Sequence, residues 1–304
     1  MSTRTLLNLG LAVLAVALVL VVVYRPGLEP GAAPQAIITD LAHGEVVSIT
    51  VTRESPEQLT FTKQDGRWHL FTGERELPAA EFQVNALLRL LQATAENYYP
   101  AASLDLAQLG LEPPQATVSF NDMQIRFGVT EALEDRRYVQ VDDTVYLIND
   151  QYQHLLTSEP HNFIMRTLLA ERGAIARLEL PGMTLSQSGA AHWQLDPAND
   201  SVSADALQQL IDNWKNASAL YVSAYDGAET TERVTIHTTG QPEPLVLQVV
   251  SHAPDLILAR PDWGIKYHLT TGLEGSLFAL PEAEGERAAE DTERTESTES
   301  TGSE

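Results

Sequence analysis

The sequence contains no cysteine. Disulfide staples, thiol catalysis and thiolate metal sites are therefore excluded. Basic residues are scarce: 19 Lys and Arg stand against 42 Asp and Glu, for a formal charge of -23. Such a surface repels nucleic acid and anionic headgroups, so nucleic-acid partners are not expected. No G-x-x-x-x-G-K-[ST], G-x-G-x-x-G or G-x-S-x-G stretch occurs, and the eight histidines never fall at H-x-x-x-H or H-E-x-x-H spacing. These absences remove the local signatures of nucleotide binding, serine-elbow hydrolysis and helical zinc sites. No catalytic, cofactor-binding or metal residue is assigned from the sequence, and no cofactor is expected.

What is present begins with a run of apolar residues. Leu6 to Tyr24, "LLNLGLAVLAVALVLVVVY", carries no charge. As a helix it would be about 28 Å long, the hydrocarbon thickness of a bilayer. Residues 1–24 are read as an uncleaved transmembrane anchor contacting the lipid bilayer through residues 6–24; a cleaved signal peptide is the alternative. Arg4 precedes the span and Arg25 follows it, so charge asymmetry orients it weakly. The arrangement expected is single-pass in a bacterial inner membrane, with the soluble part facing the periplasm. Residues 25–36, "RPGLEPGAAPQA", form a juxtamembrane linker rich in Pro, Gly and Ala. Residues 281–304 hold nine acidic and two basic residues and no aromatic, which is the composition of a disordered tail.

Between these ends one pattern occurs twice. Of four tryptophans, Trp68 in "DGRWHL" and Trp193 in "AAHWQL" sit in related frames. Each follows alternating apolar stretches that read as short hairpin strands, with Asp65-Gly66 as turn chemistry in the first. A helical stretch follows each: residues 78–96, with Phe82, Leu87, Leu88, Leu90 and Leu91 as its stripe, and residues 203–217, with Leu207, Leu210, Ile211 and Trp214. Further strands close each copy, at 137–149 with Asp142-Asp143 at the turn and at 255–270 turning near Asp262. The fold class is α+β, a tandem duplication of an antiparallel-sheet-plus-helix module. The first module covers 37–157 and the second 175–280, joined by a connector helix at 158–174 in which Phe163, Ile164, Leu168 and Leu169 pack between the copies. The two indoles are expected to cover the seam between helix and sheet.

The stretches "GRWHL" at 66–70, "LGLEPPQATVSF" at 109–120 and "RYVQVDDTVYLI" at 137–148 resemble the membrane-anchored DUF4340 family, a domain of unknown function. The resemblance covers most of 46–270 and is clearest in the first copy. The second copy departs from it: its glycine is displaced to Gly189, and no Leu-Gly-Leu-x-x-Pro follows its helix. The resemblance implies an accessory of ABC-type export or gliding systems, hence a membrane or envelope protein complex as partner. The function expected is that of a non-enzymatic, membrane-anchored envelope scaffold or accessory. A periplasmic polysaccharide- or peptide-binding module is the alternative from another class, and a two-carboxylate hydrolase a third.

Overall fold

A computed structural model describes residues 36–280, apart from 55–57, 74, 132–134, 170–171, 190–191 and 228–229. The apolar run at 6–24, nearly all of the 25–36 linker and the acidic segment at 281–304 lie outside the described residues. Among the described residues no helix is long and apolar enough to cross a membrane.

The first part of the chain runs β1 (Ala36–Ile37), β2 (Ser48–Arg53), β3 (Leu59–Gln64), β4 (Arg67–Thr72), β5 (Arg75–Pro78), α1 (Glu81–Leu88), β6 (Thr94–Pro100), β7 (Ala116–Phe120), β8 (Met123–Thr130), β9 (Arg136–Val141), β10 (Thr144–Asn149) and α2 (Gln153–Thr157). The second runs β11 (Ile175–Leu180), β12 (Met183–Ser188), β13 (His192–Asp196), α3 (Ala204–Asn216), β14 (Tyr221–Ala224), β15 (Arg233–Thr238), β16 (Leu245–Ser251), β17 (Leu256–Arg260), β18 (Ile265–Leu269) and α4 (Leu273–Phe278). The fold is α+β: two antiparallel sheets with a few helices. One sheet has ten strands in the order β1-β6-β10-β9-β8-β7-β2-β3-β4-β5; the other has eight in the order β13-β12-β11-β15-β16-β17-β18-β14. Without β1 and β5, the first order becomes β6-β10-β9-β8-β7-β2-β3-β4. Read from β14, the second is its match position for position, with the main helix after the third hairpin strand in each.

Period-two alternation builds both sheets. Ile49, Val51, Leu59, Phe61, Trp68 and Leu70 turn inward from β2, β3 and β4; Leu256, Leu258, Ile265, Tyr267 and Leu269 do so from β17 and β18. The turns follow from local chemistry. Asp65 and Gly66 both take positive φ, at 48° and 82°, which a two-residue hairpin requires.

α3 matches its sequence pattern. Ser203 Oγ accepts from Ala206 N at 3.1 Å to cap the helix, and Leu207, Leu210, Ile211 and Trp214 are buried on one face. α1 differs. It begins at Glu81 and tightens into a 3-10 turn at Arg89–Gln92, and β6 starts where the longer helix was expected to continue. Val84, Leu87, Leu88, Leu90 and Leu91 face the core, but Phe82 is 74% exposed. Phe82 lies about 200° around the helix from Val84, so both cannot face inward. Arg89 covers the ring instead, 5.9 Å from its centroid.

The two indoles of the repeated frame also diverge. Each is the second residue of its strand, β4 or β13. Trp68 is buried; Trp193 is half-buried and donates from Nε1 to Gln208 Oε1 on α3 at 3.1 Å. Trp214 is the fully enclosed indole of the second module, and it donates to the Leu277 carbonyl at 2.7 Å.

The connector is not the helix its apolar spacing suggested. Among the described residues the connector forms one 3-10 turn, at Pro160–Phe163, and residues 164–167 then run extended. Its backbone finds partners in both modules. Ala80 N donates to Phe163 O at 2.7 Å and Met165 N to Pro78 O at 3.0 Å. Leu168 N donates to Ala217 O at 3.1 Å and Ala219 N to Arg166 O at 2.9 Å. Non-local pairing thus replaces the helical ladder. Phe163, Ile164, Leu168 and Leu169 are buried, as expected, in a hydrophobic cluster that continues through both modules.

Candidate functional site

A cavity lined by several charged and amide side chains lies in the first module. It starts from a charged residue at a core position. In β9, Arg137, Val139 and Val141 share the inward face, so the alternation carries the Arg137 guanidinium into the protein. Burying that charge requires acceptors around it. Nη1 donates to the Gly128 carbonyl at 2.8 Å and to Gln115 Oε1 at 3.2 Å. Nη2 donates to Asp150 Oδ2 at 2.8 Å and to Gln153 Oε1 at 2.9 Å.

Each acceptor has a local reason to be there. The β8–β9 register shifts between Phe127 and Thr130, which turns the Gly128 carbonyl toward Arg137. Gly128 is also where the Leu109-Gly110-Leu111 turn presses on the strand. A Cβ at Gly128 would collide with the Leu109 carbonyl, and Leu109 O accepts from Val129 N at 2.8 Å. Gly110 supports the turn with φ of 63°, and a Cβ there would sit 2.9 Å from Val129 Cγ1. Leu111 then packs with Ala101 and Val145 in a small cluster separate from the main core. The second module has no such covering segment in its sequence. Burial acts to raise the Asp150 pKa, but hydrogen bonds from Arg137 and Thr130, with the Arg137 charge, outweigh it and hold the carboxyl below its ordinary value.

Beside this network is a cavity of about 380 Å³ whose walls include Arg53, Glu54, Gln115, Arg137, Gln153 and Glu159. Arg53 donates from Nη1 to the Leu156 carbonyl at 3.0 Å and the Ser158 carbonyl at 2.6 Å, closing the end of α2. The buried Nε atoms of Arg53 and Arg137 and Oδ1 of Asp150 have no partner among the described residues. Amide and guanidinium groups beside Ala116 and Leu156 suit hydrogen-bonded recognition of a polar ligand.

A second polar pair joins β14 and β18. Ser223 Oγ lies 2.8 Å from His268 Nε2, and the His268 ring stacks on Tyr221 at 4.2 Å. Burial, then the Lys266 charge, lowers the His268 pKa. No carboxylate hydrogen-bonds His268 among the described residues. No group of three or more His, Asp or Glu able to hold a metal ion occurs among them either.

No site residue was assigned from the sequence: Gln115 fell within 109–120, and Arg137 lay where a charged stretch, 131–137, read as a solvated loop, meets the strand at 137–149. The usable signal was parity: Arg137 occupies the same face as Val139 and Val141. Two of the stretches that carried the family resemblance, 109–120 and 137–148, meet at the contact between Gln115 and Arg137.

Fold and cavity together define a two-sheet antiparallel α+β protein with an arginine-centred polar site in its first module. The chain belongs to the family described as domain of unknown function (DUF4340), whose profile matches residues 68–231. No curated protein and no solved structure matches the chain.

Proposed function

We propose that the protein is a non-enzymatic, membrane-anchored scaffold of the bacterial envelope. In this reading residues 6–24 form a single span in the inner membrane, the two modules stand in the periplasm, and the partner is an ABC-type export or assembly system. The observation that carries the reading is the connector. It pairs through its backbone with both modules, inside one continuous hydrophobic cluster. A body built this way holds a fixed separation between partners. The matching strand orders further support an origin of the modules by tandem duplication.

The test is photocrosslinking in intact membranes, with full-length protein carrying a crosslinking residue at exposed Phe82 or Tyr98. Capture of a multi-span transporter subunit is the expected result. Repeated recovery of soluble envelope proteins alone would reject the reading.

A binding module for polysaccharide or peptide is the second reading, favoured by the cavity at Arg53, Gln115, Arg137 and Gln153. Saturable binding of an envelope glycan or peptide, lost in Gln153→Ala, would support it. The two-carboxylate hydrolase has only the presence of Glu54 and Glu159 in that cavity behind it.

A further inference from the structure

A different crevice, of about 300 Å³, opens between the modules. Its walls include His69 and Glu76 from the first module, Arg172 from the connector, and Gln241, Arg260 and Trp263 from the second. We propose that this crevice is a binding site for a small oxyanion, a carboxylate or phosphate group, received by Arg260 and Arg172. The proposal does not depend on the scaffold reading.

Arg260 is the central observation. It is 3% exposed, and its guanidinium carbon lies 3.1 Å from the Trp263 ring centroid. The indole face fixes the guanidinium plane, as a cation–π contact does. Nε donates to the Asp262 carboxylate, with its two oxygens at 3.3 and 3.2 Å. Nη1 is enclosed and has no hydrogen-bond acceptor among the described residues. A cationic N–H in that condition is costly, and an incoming oxyanion would satisfy it. The Tyr267 hydroxyl is buried beside the same group: it has no partner at full hydrogen-bond geometry, but it interacts with the Arg260 guanidinium through charge and a looser side-chain contact.

The charge around the crevice points the same way. The whole chain carries -23, yet here three guanidinium groups gather. Arg172 lies close enough for its charge to act on Arg260, and Arg75 sits against Gly264, the residue after Trp263. The Arg172 side chain donates from Nη1 to the Glu243 carbonyl at 3.1 Å. The facing carboxylates are Asp262, paired with Arg260, and Glu76, 3.3 Å from His69 Nδ1. The volume is at the lower end for ligand sites, which suits a single small anionic group rather than a polymer. Because both modules contribute walls, an occupant would bridge them.

The test uses the full chain in a neutral detergent at low salt, titrated separately with inorganic phosphate and with succinate. Tryptophan fluorescence and the thermal midpoint are followed. The expected result is a saturable response to at least one probe, weakened about tenfold or more by Arg172→Gln. Trp263→Phe should remove most of the fluorescence response and weaken the thermal shift, because the indole that holds the Arg260 plane is lost. Preference for phosphate or succinate identifies the source of the oxyanion. A response that emerges only in a chain ending at Leu280 supports the site and makes the chain's own acidic segment its competitor. Arg260→Gln should abolish binding; Arg172→Gln, at a half-exposed position, keeps the test valid if that variant does not fold. No saturable response in either chain, or one unchanged by Arg172→Gln, overturns the proposal.

Discussion

Arg137 donates through Nη2 to Asp150 Oδ2 at 2.8 Å, with each side chain 7% exposed. Removing one member strands the other in a place that cannot solvate it. Asp150→Ala is expected to lower stability by about 3–5 kcal/mol. The double variant Arg137→Met with Asp150→Leu should cost less than the sum of the single changes. Chemical denaturation of the four proteins measures the coupling.

Asp150 also sets an acid limit. Its folded pKa is depressed below the unfolded value, so its contribution is present above that value and lost as pH falls through the folded one. Stability measured from pH 5 downward should fall less steeply in Asp150→Asn than in the parent. Parallel curves would remove Asp150 from the account.

His252 gives the opposite sign. Its ring nitrogens lie 3.0 Å from Glu232 and 3.3 Å from Glu274, the second of these on α4, while the Phe278 ring sits edge-on. The hydrogen bond to Glu232 leads in raising its pKa, against some desolvation. The stabilisation is therefore full below the unfolded value, near pH 6.5, and is lost as pH rises through the folded one. The side chain is 39% exposed, so solvent screening keeps the effect small. His252→Gln should lower the melting temperature by less than about 2 °C at pH 5.5, with the gap closing by about pH 8.5.

Gly128→Ala should cost about 1–3 kcal/mol, because the new methyl meets the Leu109 backbone rather than a movable side-chain tip. Hydrogen exchange should rise across 104–111 before it rises elsewhere. Uniform exchange with unchanged stability would refute the tight approach.

Trp214→Phe removes the hydrogen bond to Leu277 O and leaves space in a sealed core, so a loss of about 2–4 kcal/mol is expected. Trp193→Phe, at the half-buried indole, should cost about 1 kcal/mol or less. Equal losses would contradict the difference in burial between the two rings.

Much of this architecture was legible because it rests on local rules. Asp65-Gly66 announces its hairpin, and Leu207, Leu210, Ile211 and Trp214 announce α3 by spacing alone. β6 was hidden because Glu96, Asn97, Tyr98 and Tyr99 give no clean alternation on a largely exposed strand. The connector was misread because Phe163, Ile164, Leu168 and Leu169 are spaced like a helix face, whereas the backbone of Phe163 pairs with Ala80 and that of Leu168 with Ala217, both far away in sequence. Arg137 escaped notice for a related reason. A charge in a strand reads as solvent-facing until its parity is set by register, and the groups that satisfy it come from three separate segments.

The extended segment at 164–167 has a practical corollary for dissecting the protein. Cutting the gene on either side of it gives one fragment with a dangling edge and another with a gap where that edge belonged. Neither half is a natural cassette for recombinant expression. A split pair should recover native character only when the fragment keeping this segment is supplied together with its complement.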